Sequence, residues 1–234
     1  MNIKNAVIVI TGANRGLGFA MAKKISDMGA TVVIACRDLK KAKEAAKKIG
    51  GKSIAMQVKV EDTKSVEKFA KELAHKFPVI DILINNAGVQ KEKVGVHIEN
   101  LDLKILQETL KVNLVGTIWM CKMLLPLMKS SPDARIINFS SGLGLLSYPR
   151  TGDYPAYSIS KTAVNQVTKY LAEEVKSTNI KVFSVDPGWV KTDMGGVEAP
   201  LSIEEGIDTP VWLATTNENL TTGVFYKERN ILGW

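Results

Sequence analysis

The chain has little of what builds metal centres or disulfide frameworks. Among 234 residues there are two cysteines, Cys36 and Cys121, and two histidines, His75 and His97. They share no metal-ligand spacing, so no metal site is expected. The cysteines lie far apart in apolar surroundings and read as buried, reduced thiols. Long apolar runs are also missing: none approaches the roughly 20 residues a membrane helix needs. The N-terminus passes through Asn2, Ile3, Lys4 and Asn5 straight into the short apolar run 6–10. It has no longer apolar region and no small-residue cleavage site of a signal peptide. A cytoplasmic protein with no membrane partner is expected.

Acidic residues are outnumbered, 24 against 31 Lys and Arg, which leaves a net charge of +7 and a pI near 9.3. Such a balance could attract nucleic acid or an anionic cofactor. The lysines are scattered, however. Their densest group, Lys40, Lys41, Lys43, Lys47 and Lys48, alternates at helical spacing with Ala42, Ala45, Ala46 and Ile49. That is the pattern of a solvated amphipathic helix face, so nucleic acid is not expected as a partner.

What the chain does have is alternation. Short Val/Ile-rich runs at 6–10, 31–35, 53–58, 80–84, 135–139, 181–185 and 224–226 read as strands buried on both faces. Helical patterns at 16–28, 39–49, 63–76, 101–128, 156–177 and 203–214 separate them. This repetition predicts βαβ units. The expected fold is α/β: one doubly wound, Rossmann-like parallel sheet with helices on both faces, formed by a single domain over 1–234.

The first strand runs into Thr11-Gly12-Ala13-Asn14-Arg15-Gly16-Leu17-Gly18 and then a helix. Glycines permit a tight turn and a close backbone approach to a pyrophosphate, and the helix start offers N–H groups to it. The second strand ends in Ala35-Cys36-Arg37-Asp38, the place that faces an adenosine ribose in such folds. A guanidinium at Arg37, helped by Arg15, suits a 2′-phosphate, whereas an acid suits a free 2′-hydroxyl. Asp38 weakens the case slightly. NADPH is expected in preference to NADH.

The spacing of the glycine turn resembles that of the short-chain dehydrogenase/reductase family, and further motifs follow in the family's order. They are Asn85-Asn86-Ala87-Gly88, then Asn113 within Val112-Asn113-Leu114-Val115-Gly116. Next come Ser141 within Asn138-Phe139-Ser140-Ser141-Gly142, Tyr157-x-x-x-Lys161, and Pro187-Gly188-Trp189-Val190-Lys191-Thr192. The tail from Pro187 to Met194 is similar to the carbonyl-reductase branch, which is typically NADPH-dependent. Two features depart from the family. Lys59 stands where an acid usually meets adenine, so that role passes to Val60 and Asp62. The sixteen-residue step from Ser141 to Tyr157 is wider than in many members and far narrower than in monomeric animal carbonyl reductases.

The resemblance implies an oxidoreductase that reduces a ketone or aldehyde by hydride transfer from NADPH. Tyr157 would be the proton donor. A free phenol titrates at about 10, and Lys161, one helical turn on, would lower that value by its charge. Ser141 would hold the substrate oxygen; Ser140 is the adjacent rival, and the family alignment selects Ser141. Asn113 would anchor a water linked to the lysine. Gly12, Asn14, Arg15, Gly16, Leu17, Gly18, Arg37, Val60, Asp62, Asn86, Ala87 and Gly88 would hold the cofactor. So would Tyr157, Lys161, Pro187, Gly188, Val190 and Thr192. Val89, Leu143, Tyr148, Tyr154, Trp189 and Met194 are expected to line an apolar site for aromatic or aliphatic carbonyl substrates. Relatives form homodimers or homotetramers through the two long helices, here 101–128 and 156–177. Two other readings stay open: an NAD-dependent alcohol dehydrogenase of the same family, and a non-catalytic nucleotide-binding or signalling protein.

Overall fold

Successive strand residues alternate between two apolar layers, and this alternation fixes the architecture. Ile8, Ile10, Val32 and Ile34 face one layer with Met21, Ile25, Ala42 and Val211. Val9, Val33 and Leu83 face the other with Phe69, Leu73, Leu124 and Leu171. Side chains on a strand alternate in direction, so strands apolar at every position bury both faces.

The computed structural model describes residues 3–147 and 153–234. Its strands are β1 (Val7–Thr11), β2 (Thr31–Cys36), β3 (Lys52–Gln57), β4 (Ile82–Asn85), β5 (Ala134–Phe139), β6 (Ile180–Val185), β7 (Val224–Lys227) and β8 (Asn230–Leu232). They form one sheet in the order β3-β2-β1-β4-β5-β6-β7-β8. β1 to β7 pair in parallel and β8 is antiparallel to β7. The helices are α1 (Gly16–Asp27), α2 (Leu39–Ile49), α3 (Thr63–Lys76), α4 (Leu103–Leu110), α5 (Gly116–Met128), α6 (Pro155–Glu174) and α7 (Ile203–Thr215). α1, α2 and α7 contribute to the first apolar layer, and α3, α5 and α6 to the second. The chain reverses its winding between β1 and β4, which opens a crevice at the carboxyl ends of those two strands.

Short acids set the helix starts. Asp38, Asp62 and Asp102 each accept N–H bonds from the first turn of α2, α3 and α4, as N-cap residues do. Ser202 and Glu205 form a reciprocal capping box at α7.

The structure corrects the sequence reading at three places. The long helix begins at Leu103, not at 101, and changes to a π-helical turn over Lys111–Val115 before α5. Thr117 Oγ1 donates to Asn113 O at 2.8 Å there and so occupies a carbonyl within the irregular turn. Second, the run Leu103–Met128 is long and apolar enough, by length and composition, to cross a membrane, against the expectation that no stretch would be. Its inner side chains Met120, Leu124 and Met128 pack into the second layer. Third, β8 had no sequence signal. The β7–β8 hairpin turns on Glu228 and Arg229, both left-handed with φ of 49° and 60°. Such turns normally take Asn or Gly. Here tertiary contacts hold the turn: Arg229 pairs with Asp208 of α7 at 2.7 and 2.5 Å, and its backbone N–H meets Thr209 Oγ1.

One buried cation braces the amino-terminal ends of the strands. Arg135 of β5 is 1% exposed. It bonds Asp133 and the carbonyls of Leu213 and Thr216 at the end of α7.

Candidate active site

The crevice encloses about 530 Å³ and reaches from the end of β2 to the start of α6. Its floor is the turn after β1. Gly12 and Gly16 there have φ of +68° and +56°, which L side chains rarely adopt. Gly18 must lack a side chain for another reason: a Cβ would lie 2.6 Å from both Asn86 Nδ2 and Gly12 O. These positions form a cradle for a phosphate-bearing ligand, and the start of α1 aims N–H groups into it. Thr11 and Asn86 tie the two sides of the switch point together. Thr11 Oγ1 accepts from the backbone of Asn86 and Ala87, while Asn86 Nδ2 donates to Thr11 O at 2.8 Å.

At the far end the crevice is lined by Arg15, Arg37, Asp38 and Lys41. Asp38 Oδ1 accepts the N–H groups of Lys40 and Lys41 at 2.9 and 3.2 Å. The acid next to Arg37 is therefore engaged in starting α2. Lys41, read from the sequence as part of a solvated face, joins the basic side of the crevice. Arg15 makes an ion pair with Asp193 across the opening, so Asp193 competes for the guanidinium that sequence reasoning gave wholly to a phosphate.

The other end is built by β5, β6 and α6. Tyr157 and Lys161 both line the crevice, one helical turn apart as their spacing requires. Lys161 Nζ lies 5.4 Å from the centre of the Tyr157 ring and donates to Phe139 O at 2.7 Å. Burial pushes the Tyr157 phenol up to about 12; the Asp186 carboxylate adds to the rise and a hydrogen bond with Ser141 opposes it. Burial pushes Lys161 down to about 8, against the pull of Asp186. The expected lowering of the phenol by Lys161 is thus not found. Loss of water is the largest cause of both shifts, and the charge that acts on both groups is the Asp186 carboxylate.

The two serines divide as alternation requires. Ser140 is buried, and its hydroxyl donates to Lys161 O at 3.2 Å. Ser140 also lines the crevice, whereas Ser141, whose Oγ accepts the N–H of Leu143 at 3.2 Å, does not; Ser141 acts on the phenol by lowering its pKa. Asn113 is buried behind the crevice. Its side chain takes the N–H of Val89 at 2.8 Å and gives hydrogen bonds to Val89 O and Ser160 Oγ.

Most residues expected at the cofactor site line the crevice, and three do not. Asp62 caps α3, and the neighbouring Glu61 lines the crevice instead. Val190 is buried against the position of Gly206, and the left-handed Gly188 packs against Leu201. Both shape the turn after β6 from outside. Of the apolar positions, Val89 and Met194 line the crevice, while Leu143, Tyr154 and Trp189 do not. The indole N–H of Trp189 is fixed to Gly195 O at 2.8 Å. Tyr148 lies outside the described residues. Asp186 is a residue that sequence reasoning missed. It is 6% exposed and closes the end of β6 beside the tyrosine and lysine. An acid ending an apolar strand, just before Pro187-Gly188, was the available signal.

A glycine cradle at a topological switch point, a basic patch at one end and a tyrosine–lysine pair at the other define a nucleotide-binding oxidoreductase on an α/β sheet. The chain belongs to the short chain dehydrogenase family, whose model matches residues 6–200. It is 34% identical over 203 residues to a 3-oxoacyl-[acyl-carrier-protein] reductase of Aquifex aeolicus, covering 84% of this chain and 79% of that one. It is 27% identical to the NADPH carbonyl reductase 1 of Mus musculus over the whole of both chains. Its fold matches the NADPH-bound carbonyl reductase from chicken fatty liver with a TM-score of 0.88 at 26% identity, covering 98% of this chain and 99% of that one. It is thus a carbonyl-reductase-like member of a family that uses nicotinamide nucleotides.

Proposed function

We propose that this enzyme reduces a ketone or aldehyde to an alcohol with NADPH. The observation that carries the reading is the pair at the α6 end of the crevice: half-buried Tyr157 and buried Lys161 both line it, with Lys161 Nζ 5.4 Å from the tyrosine ring. A phenol held near 12 keeps its proton at neutral pH and serves as a donor. The proton at Tyr157 Oη passes to the substrate oxygen, and Ser141 donates a hydrogen bond to that same oxygen as charge develops on it. The nicotinamide, when bound, supplies the hydride. Lys161 holds positive charge beneath the site below about pH 8.

The glycine cradle is shaped for the pyrophosphate. Arg37 and Lys41 support a preference for the 2′-phosphorylated cofactor, as does the engagement of Asp38 in capping. Val89 and Met194 support an apolar carbonyl substrate. Val115, Ile118, Ile159 and Tyr170 are exposed on or beside the two long helices and support self-association through them. The two free, buried cysteines agree with a reducing, cytoplasmic setting. Replacement of Tyr157 by Phe tests the reaction: turnover of ketones should vanish while NADPH binding stays near its original strength. A Tyr157→Phe enzyme that reduces ketones at the normal rate would overturn the assignment.

A further inference from the structure

Helix α6 starts without an ordinary cap. Its N-cap residue, Tyr154, is left-handed with φ of 57° and has no side-chain bond to the helix. Pro155 follows at the first helical position and has no N–H. Ser158 N bonds Tyr154 O. The first-turn donors left over are the N–H groups of Ala156 and Tyr157, the two that a capping side chain usually takes. Both are taken by one carboxylate from a distant loop. Glu92, 6% exposed, accepts from Ala156 N at 2.7 Å through Oε1 and from Tyr157 N at 2.9 Å through Oε2.

We infer that Glu92 is a positioning residue for the reaction: it sets the peptide that carries Tyr157, and so sets where the phenol stands. The peptide is held from both ends. Ser160 Oγ donates to Tyr157 O at 2.6 Å and receives Asn113 Nδ2 at 3.0 Å. Asn113 also grips both the N–H and the carbonyl of Val89. The segment from Val89 to Glu92 is secured further by Gln90 Nε2 on Glu92 O and by the ion pair of Lys91 with Glu108 of α4. Asn113 and Glu92 therefore form one bonded frame around the Tyr157 backbone. A side chain pinned within a few tenths of an ångström reacts faster than one that wanders, because orientation is settled before the reaction begins.

This inference rests on Tyr157 being the proton donor, and the test separates the two ideas. The full-length chain with NADPH and a ketone it reduces is compared with Glu92→Gln, Glu92→Ala, Glu92→Asp and Tyr157→Phe. Glutamine keeps the volume but leaves one oxygen acceptor for two N–H groups. In Glu92→Gln, kcat should fall by about 10- to 100-fold with the NADPH Kd little changed. The solvent deuterium isotope effect should rise and the amides of Ala156 and Tyr157 should exchange faster. Aspartate, with two acceptors on a shorter stem, should recover part of the rate. If Glu92→Ala does not fold, Glu92→Gln decides alone. Faster exchange with kcat and isotope effect unchanged would make Glu92 a structural cap and overturn the inference, as would unchanged exchange. A dead Tyr157→Phe beside a fully active Glu92→Gln defeats the positioning role only; an active Tyr157→Phe defeats the donor reading beneath it.

Discussion

The hydroxyl of Thr11 accepts the backbone N–H of Asn86 at 3.1 Å, and the same oxygen takes Ala87 N at 3.0 Å. One side chain at the end of β1 thereby fixes the chain leaving β4, and the two strands bound the crevice between them. Replacing Thr11 by the near-isosteric Val takes this partner from Ala87 N, while Asn86 N keeps Ile84 O at 3.0 Å. An unpaired donor costs about 1–3 kcal/mol when buried, and Ala87 is half-buried at the crevice wall, so the loss falls at the lower end. Thr11→Val is expected to lower the thermal midpoint by several degrees and to weaken cofactor binding, measured by calorimetry and by NADPH titration.

Cofactor choice turns on the basic end of the crevice. Arg37→Ala should weaken NADPH by about 1.5–3 kcal/mol, the usual worth of a hydrogen bond to a charged group, and leave NADH nearly unchanged. Asp193→Asn releases Arg15 from its ion pair and should tighten NADPH. Paired titrations with both cofactors read the ratio. An Arg37→Ala ratio equal to that of the unaltered enzyme would remove the guanidinium from the recognition of the 2′-phosphate.

The pH profile distinguishes Lys161 from Tyr157. Lys161, pushed down to about 8, is charged below that pH and neutral above it; Tyr157, at about 12, stays protonated throughout. The reductive kcat/KM, which reports groups of the free enzyme, should therefore fall through an alkaline limb near the lysine value. The Asp186 carboxylate raises the lysine value, so Asp186→Asn should move that limb toward lower pH. Asparagine keeps an oxygen for the Gly188 N–H, which Asp186 now receives at 2.9 Å. A limb unmoved by this change would show that Lys161 does not govern it.

Stability depends on a second buried charge, remote from the reaction. Arg135→Met would take the guanidinium from Asp133 and leave the carbonyls of Leu213 and Thr216 without this donor. A buried acceptor left without its donor costs about 1–3 kcal/mol. Chemical denaturation should show that loss while NADPH affinity is retained. Asp133 is partly buried, which alone would raise its carboxyl. The hydrogen bond and charge of Arg135, with Lys181 nearby, prevail and hold it below the ordinary value. Its contribution is present above the unfolded carboxyl pKa and is lost as pH falls through the lower folded one.

The class of fold and much of the crevice were legible in the sequence because both depend on local rules. A strand apolar at every position announces a sheet covered on both faces. A glycine turn between strand and helix announces a cradle. A tyrosine and a lysine four residues apart share a helix face wherever that helix packs. The errors fall where distant parts of the chain meet. Asp62 read as an adenine contact because it follows a strand, yet it starts a helix. Trp189 read as one of the apolar residues lining the substrate site, yet Gly195 holds its indole N–H. The hairpin at Glu228 and Arg229 had no turn residues to announce it, because Asp208 and Thr209 of α7 supply the stabilisation that Asn or Gly would have supplied locally.

The sequence by itself determined the βαβ order, the positions of the glycines and the one-turn separation of Tyr157 from Lys161, since periodicity and backbone sterics act over a few residues. Only the tertiary structure decided the acidity of that pair, the engagement of Arg15 with Asp193 and the capture of the α6 amides by Glu92. Burial and hydrogen-bond pairing depend on which segments are brought side by side, and residues 64 or more positions apart carry no local sign that they will meet.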